Sequence, residues 1–127
     1  MADNLPDIIE NQLLDALVGT TAYSITGPVK LALVTTNGDD ATAGTQVSGG
    51  SYARQTITFT TATGGEIENN TAISFTGMPA VTVVGIEFYD SAGTPKRLAY
   101  GALTTSRAVT AGDTVQFASG AITLSLA

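Results

Sequence analysis

Two hydrophobic periods divide this chain. Over residues 4–18 the apolar side chains of Leu5, Ile8, Ile9, Leu13, Ala16 and Leu17 recur at steps of three and four, which places them along one face of an α-helix. Asn4 can cap such a helix, Pro6 is tolerated in its first turn, Asp7 and Glu10 suit the positive end of the dipole, and Gly19 offers a left-handed stop. The pattern predicts one amphipathic helix with defined ends.

From Thr20 onward the period is two. Val29, Leu31 and Leu33 alternate with Lys30 and Ala32; Ile57 and Phe59 alternate with Thr56, Thr58 and Thr60; Ile73 and Phe75 alternate with Ala72 and Ser74. Each reads as a half-buried strand. Residues 81–89 are denser, with Val84, Ile86 and Phe88 on one face and Val81, Val83 and Tyr89 on the other, the mark of a central strand covered on both sides. Leu98, Tyr100 and Ala102, then Val115 and Phe117, then Ile122, Leu124 and Leu126 complete a set of about eight strands. Gly-, Asn- and Asp-rich turns separate them, including Asn37-Gly38-Asp39-Asp40, Thr63-Gly64-Gly65 and Ala111-Gly112-Asp113.

Short strands at this spacing predict a mainly β fold, an antiparallel β-sandwich of jelly-roll or Greek-key type preceded by one helix. The expected organisation is a helix or arm over residues 1–19 and a sandwich over 20–127. Residues 36–51 lack any period and form the longest expected non-strand connection, placed at one end of the sandwich where it can reach a neighbour.

Composition narrows the function. The chain has 127 residues, with 43% hydrophobic and 13% charged, enough for one folded core and unlike a disordered segment. It contains no His and no Cys, so the usual neutral-pH acid–base group, thiol nucleophiles and zinc ligands are missing. Net charge is −6, and the five cations Lys30, Arg54, Lys96, Arg97 and Arg107 form no basic stripe, which argues against nucleic acid and anionic membranes as partners. No secretory signal is evident at the N-terminus, so synthesis is expected to end in the cytoplasm.

The acids invite three readings. Asp39-Asp40 with Thr42 could offer oxygen ligands to calcium, but the spacing lacks the EF-hand alternation, and an acidic turn-forming loop is the simpler reading. Glu66 and Glu68 would share one strand face rather than flank a cleft, as glycoside hydrolysis requires. Asp113 reads as a turn residue whose carboxylate takes neighbouring amides. No catalytic residue, cofactor or metal is expected.

Partner contacts are the remaining candidates. Arg54, at the entrance to a strand, can clamp a carboxylate or carbonyl of a neighbouring chain, or pair within the chain with Asp39 or Asp90. Tyr52, Tyr89 and Tyr100 divide between sheet packing and exposed recognition. The helix either caps an open end of its own sandwich or docks on another chain. The expected contact set is Ile8, Ile9, Leu13 and Leu17 on the helix, Asp39 and Asp40 in the long loop, and Ser51, Tyr52 and Arg54 beyond it.

The run Val47-Ser48-Gly49-Gly50-Ser51-Tyr52-Ala53-Arg54-Gln55, leading into Ile57-Thr58-Phe59, is the most specific motif in the chain. It follows a first strand Val29-Lys30-Leu31-Ala32-Leu33-Val34-Thr35 and an acidic loop. Val84-Gly85-Ile86 with an Asp90-Ser91-Ala92-Gly93 turn, Gly101-Ala102-Leu103, Gly112-Asp113 and Phe117-Ala118-Ser119-Gly120 complete the pattern. In these features the chain resembles a family of small tailed-phage virion proteins labelled tail-fibre-like. The resemblance implies a non-enzymatic building block of the particle, with the major capsid protein or tail proteins as partners. A single sandwich without a shaft-forming repeat fits best as a capsid cement or decoration protein, whose many copies would stabilise the mature shell by mass action. Such a protein is expected to be a homo-oligomer, with a trimer favoured at three-fold positions. The alternative is a tail-tip or tail-fibre-associated module that recognises the host through its end loops.

Overall fold

The computed structural model describes residues 5–126. The helix α1 spans Asp7–Leu17, three residues shorter at its start than the periodicity suggests. Pro6, in extended conformation, occupies the capping position and its carbonyl accepts the first helical amides, from Ile9 and Glu10. A proline has no N–H to orphan there. Asn4, the expected cap, lies outside the described residues. At the other end Gly19 takes φ +78° and donates to the Ala16 carbonyl, the expected left-handed stop.

Nine strands follow among the described residues: β1 (Lys30–Thr36), β2 (Thr45–Gln46), β3 (Gln55–Thr56), β4 (Glu66–Glu68), β5 (Ile73–Phe75), β6 (Val81–Tyr89), β7 (Arg97–Val109), β8 (Val115–Phe117) and β9 (Thr123–Ser125). All pairings are antiparallel. The main sheet runs β2-β1-β6-β7, with β3 sharing the β2 edge of β1. The pairs β6·β7, β5·β8 and β4·β9 are nested, as when one long hairpin is rolled over itself, so the mainly β, jelly-roll-like reading of the sequence holds.

The core lies between the main sheet and the two small ones. Leu31, Leu33, Val83, Phe88 and Ala99 from the main sheet meet Ile73, Phe75, Val115, Phe117 and Ile122. Phe75 packs edge-on to Phe117, and Phe59 edge-on to Phe88, geometries that suit the ring quadrupole. The buried Asn69 stitches the second layer together: its amide donates to the Thr71 and Ala118 carbonyls and its oxygen accepts from the Ile122 N–H. Every polar atom of that side chain lies within reach of a partner, as burial requires.

Several expectations change. The strand expected through Ile57 and Phe59 is reduced to the short pairing of β3 at Gln55–Thr56 and a lone bridge from Phe59 to Asn69. The strand β1 is not half-buried, since Leu31, Ala32, Leu33 and Val34 are all buried. The reason lies in residues 37–44, which do not project from one end of the sandwich but fold back across the outer face of the main sheet. That long connection is also shorter than expected, because Thr45 and Gln46 return to pair with β1. Gly85 permits the close approach: a Cβ there would stand 1.9 Å from the Asn37 Oδ1 and 2.8 Å from the Gly101 carbonyl oxygen.

Candidate docking surfaces

On the outer face of the main sheet, register places Tyr89 opposite Lys30, Glu87 opposite Ala32 and Gly85 opposite Val34, with Tyr100 beside Glu87 on β7. Glu87 is 1% exposed. Burial of a carboxylate is costly without partners, and three converge on it. Arg97 approaches at 3.3 Å, the Gly44 N–H donates at 2.7 Å, and the Tyr89 hydroxyl donates at 2.8 Å. Arg97 and Glu87 form the one ion pair among the described residues.

The same guanidinium donates to the Asp39 carbonyl oxygen and lies over the Tyr100 ring, whose hydroxyl donates to the Asp40 carboxylate. The acidic loop is thus fastened to the sheet by a buried acid and its cation. Within the loop, the Asp39 carboxylate accepts from the Ala41 and Thr42 amides at 3.0 and 2.7 Å, the turn role the sequence favours.

Arg54 stacks over Tyr89 at 3.8 Å and donates to the Gln46 amide oxygen through Nε and Nη2. Its partners are therefore an aromatic face and a neutral amide, not Asp39 or Asp90, because the return of β2 puts Gln46 beside it. Gln46 in turn donates to the Tyr52 hydroxyl. That hydroxyl also accepts the Leu33 N–H at 3.0 Å. Leu33 sits where β2 has ended and β3 has not begun along the edge of β1, so the tyrosine supplies the acceptor that no strand provides. Its ring stacks on Phe75.

Burial explains the titration of these groups. Removal from water pushes the Tyr89 hydroxyl up to about 12, with the hydrogen bond to Glu87 acting in the same direction. Burial likewise raises Tyr52. Asp90 is held below the ordinary carboxylate value, chiefly by the Lys96 N–H, which donates to it at 2.7 Å. Asp113 is lowered by the Thr110 hydroxyl and amide, as a turn acid should be.

The structure divides the expected contact residues. Asp39, Asp40 and Arg54 come together through Tyr89, Glu87 and Arg97, and the Asp40 carbonyl accepts the Asp7 N–H at 3.1 Å, so the helix start and the acidic loop adjoin. Ile8 lines a hollow with Asp40 beside this contact. Ser51 stands apart on a turn, its amide donating to the Gly77 carbonyl. Ile9 is 2% exposed and belongs to the core, and Leu13 packs against it, so the helix docks on its own sandwich through that stripe. Leu17 is 79% exposed and Leu14 60%.

Several residues of these surfaces escape the sequence pattern. Glu87 is the lone charge in an otherwise apolar strand, a legible signal of a buried partner; Gln46, Arg97, Leu14 and Gly85 carry no comparable mark. The carboxylates of Asp7, Glu10 and Asp40 lie within 4.8 Å of one another, at a helix start whose amides favour negative charge without a cation. Glu66 and Glu68 sit on an exposed strand pairing β9, not across a cleft.

Among the described residues no helix is long and apolar enough to cross a membrane. The family model described as Podophage GP4 fiber I protein gp80 matches residues 4–125. No curated protein matches the chain.

Proposed function

The chain belongs to the Podophage GP4 fiber I protein gp80 family, a match over residues 4–125 that makes it a phage virion structural protein, and from that membership we propose that it is a non-enzymatic, globular module of the podophage tail fibre apparatus. The family description carries this reading and favours the fibre-associated alternative over the capsid cement role. The fold supports a module more than a shaft. Its nested strand pairs are satisfied inside one chain, whereas a shaft needs a repeat whose faces close only on neighbouring copies. The exposed side chains of Ile8, Leu14 and Leu17 and the fastened acidic loop give such a module two surfaces for neighbours.

A reconstruction of purified particles by cryo-electron microscopy tests the proposal. Density for the sandwich at the tail fibres is expected. Density repeated over the icosahedral shell would overturn it in favour of cement.

A further inference from the structure

The helix α1 is more apolar than its docking needs. Ile9 and Leu13 face the core, yet Leu14 and Leu17 lie on the adjoining face and remain exposed. With Leu5, Leu13 and Leu126 they line a groove of about 560 Å³. It continues into a second apolar hollow that shares Leu5, Leu13 and Leu126 and is closed by Ile67 and Leu124 of the β4·β9 pair. Contiguous apolar surface of this kind on a folded domain marks a place where another chain binds.

The charges say which kind of chain. One charged side chain lines each hollow, Glu10 in the first and Glu66 in the second. The helix carries three acids and no base. The chain's five cations lie elsewhere: Arg54 over Tyr89, Arg97 on Glu87, Arg107 over Phe117, Lys96 toward Gln12 on the opposite flank of the helix, and Lys30 on β1 of the main sheet, paired with Tyr89. A second copy docking helix to helix would therefore set acid against acid.

We infer that the groove between α1 and the β4·β9 pair receives an amphipathic helix of a different protein, with an apolar stripe flanked by lysine or arginine. The apolar stripe supplies affinity, and the basic flanks facing Glu10 and Glu66 supply selectivity and faster encounter. This inference deepens the virion-module reading by naming the partner's chemistry, and rests on that reading only for where the partner is found.

The test uses the full chain and two synthetic helical peptides with the same leucine stripe, one flanked by lysine and arginine and the other by glutamate. Titration at low salt is expected to show the basic peptide binding about tenfold more tightly than the acidic one, a gap that closes as salt rises. L14D/L17D, at exposed positions and with folding checked by circular dichroism, is expected to abolish binding of both; E10Q/E66Q is expected to erase only the preference. Equal binding of the two peptides, no binding, or binding that survives L14D/L17D overturns the inference. Dimerisation of the chain that L14D/L17D removes, measured by analytical ultracentrifugation, also overturns it and gives the groove to a second copy. The particle reconstruction reads location alone, so the two proposals can fail separately.

Discussion

The two faces of the main sheet are covered in different ways. On the inner face Leu31, Leu33, Val83 and Phe88 meet the small sheets with apolar side chains, and burial there follows from removing hydrocarbon from water. On the outer face the covering is a turn-rich loop with little hydrophobic surface to offer. It is held instead by the Glu87–Arg97 pair, the Gly44 amide and the bare Cα of Gly85. An apolar layer tolerates small adjustments of shape, whereas a buried ionic clamp works only when every partner is present.

The sharpest way to break that contrast is to remove one half of the clamp. Glu87→Ala leaves Arg97 without its counter-charge and is expected to cost about 3–5 kcal/mol in urea denaturation, comparable to the roughly 3–5 kcal/mol for Phe75→Ala on the inner face. Adding Arg97→Met to Glu87→Ala should recover much of the first loss, because an apolar pair carries no desolvated charge. If the double variant is no more stable than the single one, the outer face is held by packing after all.

Gly85→Ala puts a methyl into the Asn37 side chain and the Gly101 carbonyl. We expect a loss of about 1–3 kcal/mol, with faster amide exchange confined to residues 37–44 while β1 and β6 keep their protection. Uniform loss of protection would show that loop and sheet unfold as one.

Tyr52 spans both modes, with its ring on Phe75 and its hydroxyl at the edge of β1. Tyr52→Phe retains the stack and strands the Leu33 N–H. A cost of about 1–3 kcal/mol is expected, and a neutral result in the same denaturation assay would mean that the gap between β2 and β3 closes without the hydroxyl.

The smallest effect is a titration. The folded Tyr89 holds its proton up to about pH 12, above the ordinary tyrosine value near 10. Its contribution to stability is therefore complete below about pH 10 and is lost as pH rises from there through the folded value. Tyrosinate absorbance should contain a component titrating near pH 12 that Tyr89→Phe removes, leaving the smaller upward shift of Tyr52 in place; an unchanged titration curve would place Tyr89 in water.

Much of the inner face was legible in the sequence, because alternation reports burial directly: Leu31, Leu33, Ile73, Phe75 and Phe117 all fall inside. So were the helix and its Gly19 stop, and the turn roles of Asp39 and Asp113. The outer face was not legible. Ala32 and Val34 look like the weaker side of a half-buried strand, and nothing near them announces that residues 37–44 will cover them. Arg54 shows the same limit, since its partners Gln46 and Tyr89 are neighbours only through the registers of β2, β3 and β6 with β1.

Local chemistry determined, from the sequence by itself, the helix, the strands β1 and β5 to β9, several of the turns, and that His- and Cys-based sites are absent. These follow from periodicity, backbone preference and residue identity, each carried within a few neighbouring positions. Only the tertiary structure decided that β4 pairs β9 across nearly half the chain and β5 pairs β8 across about a third of it, that Glu87 finds Arg97 and Gly44, and that Ile9 goes inward while Leu14 and Leu17 stay out. Helical spacing puts Ile9 and Leu17 on one broad apolar face with Leu14 at its edge; which part of the face is covered depends on the shape of the sheet it meets.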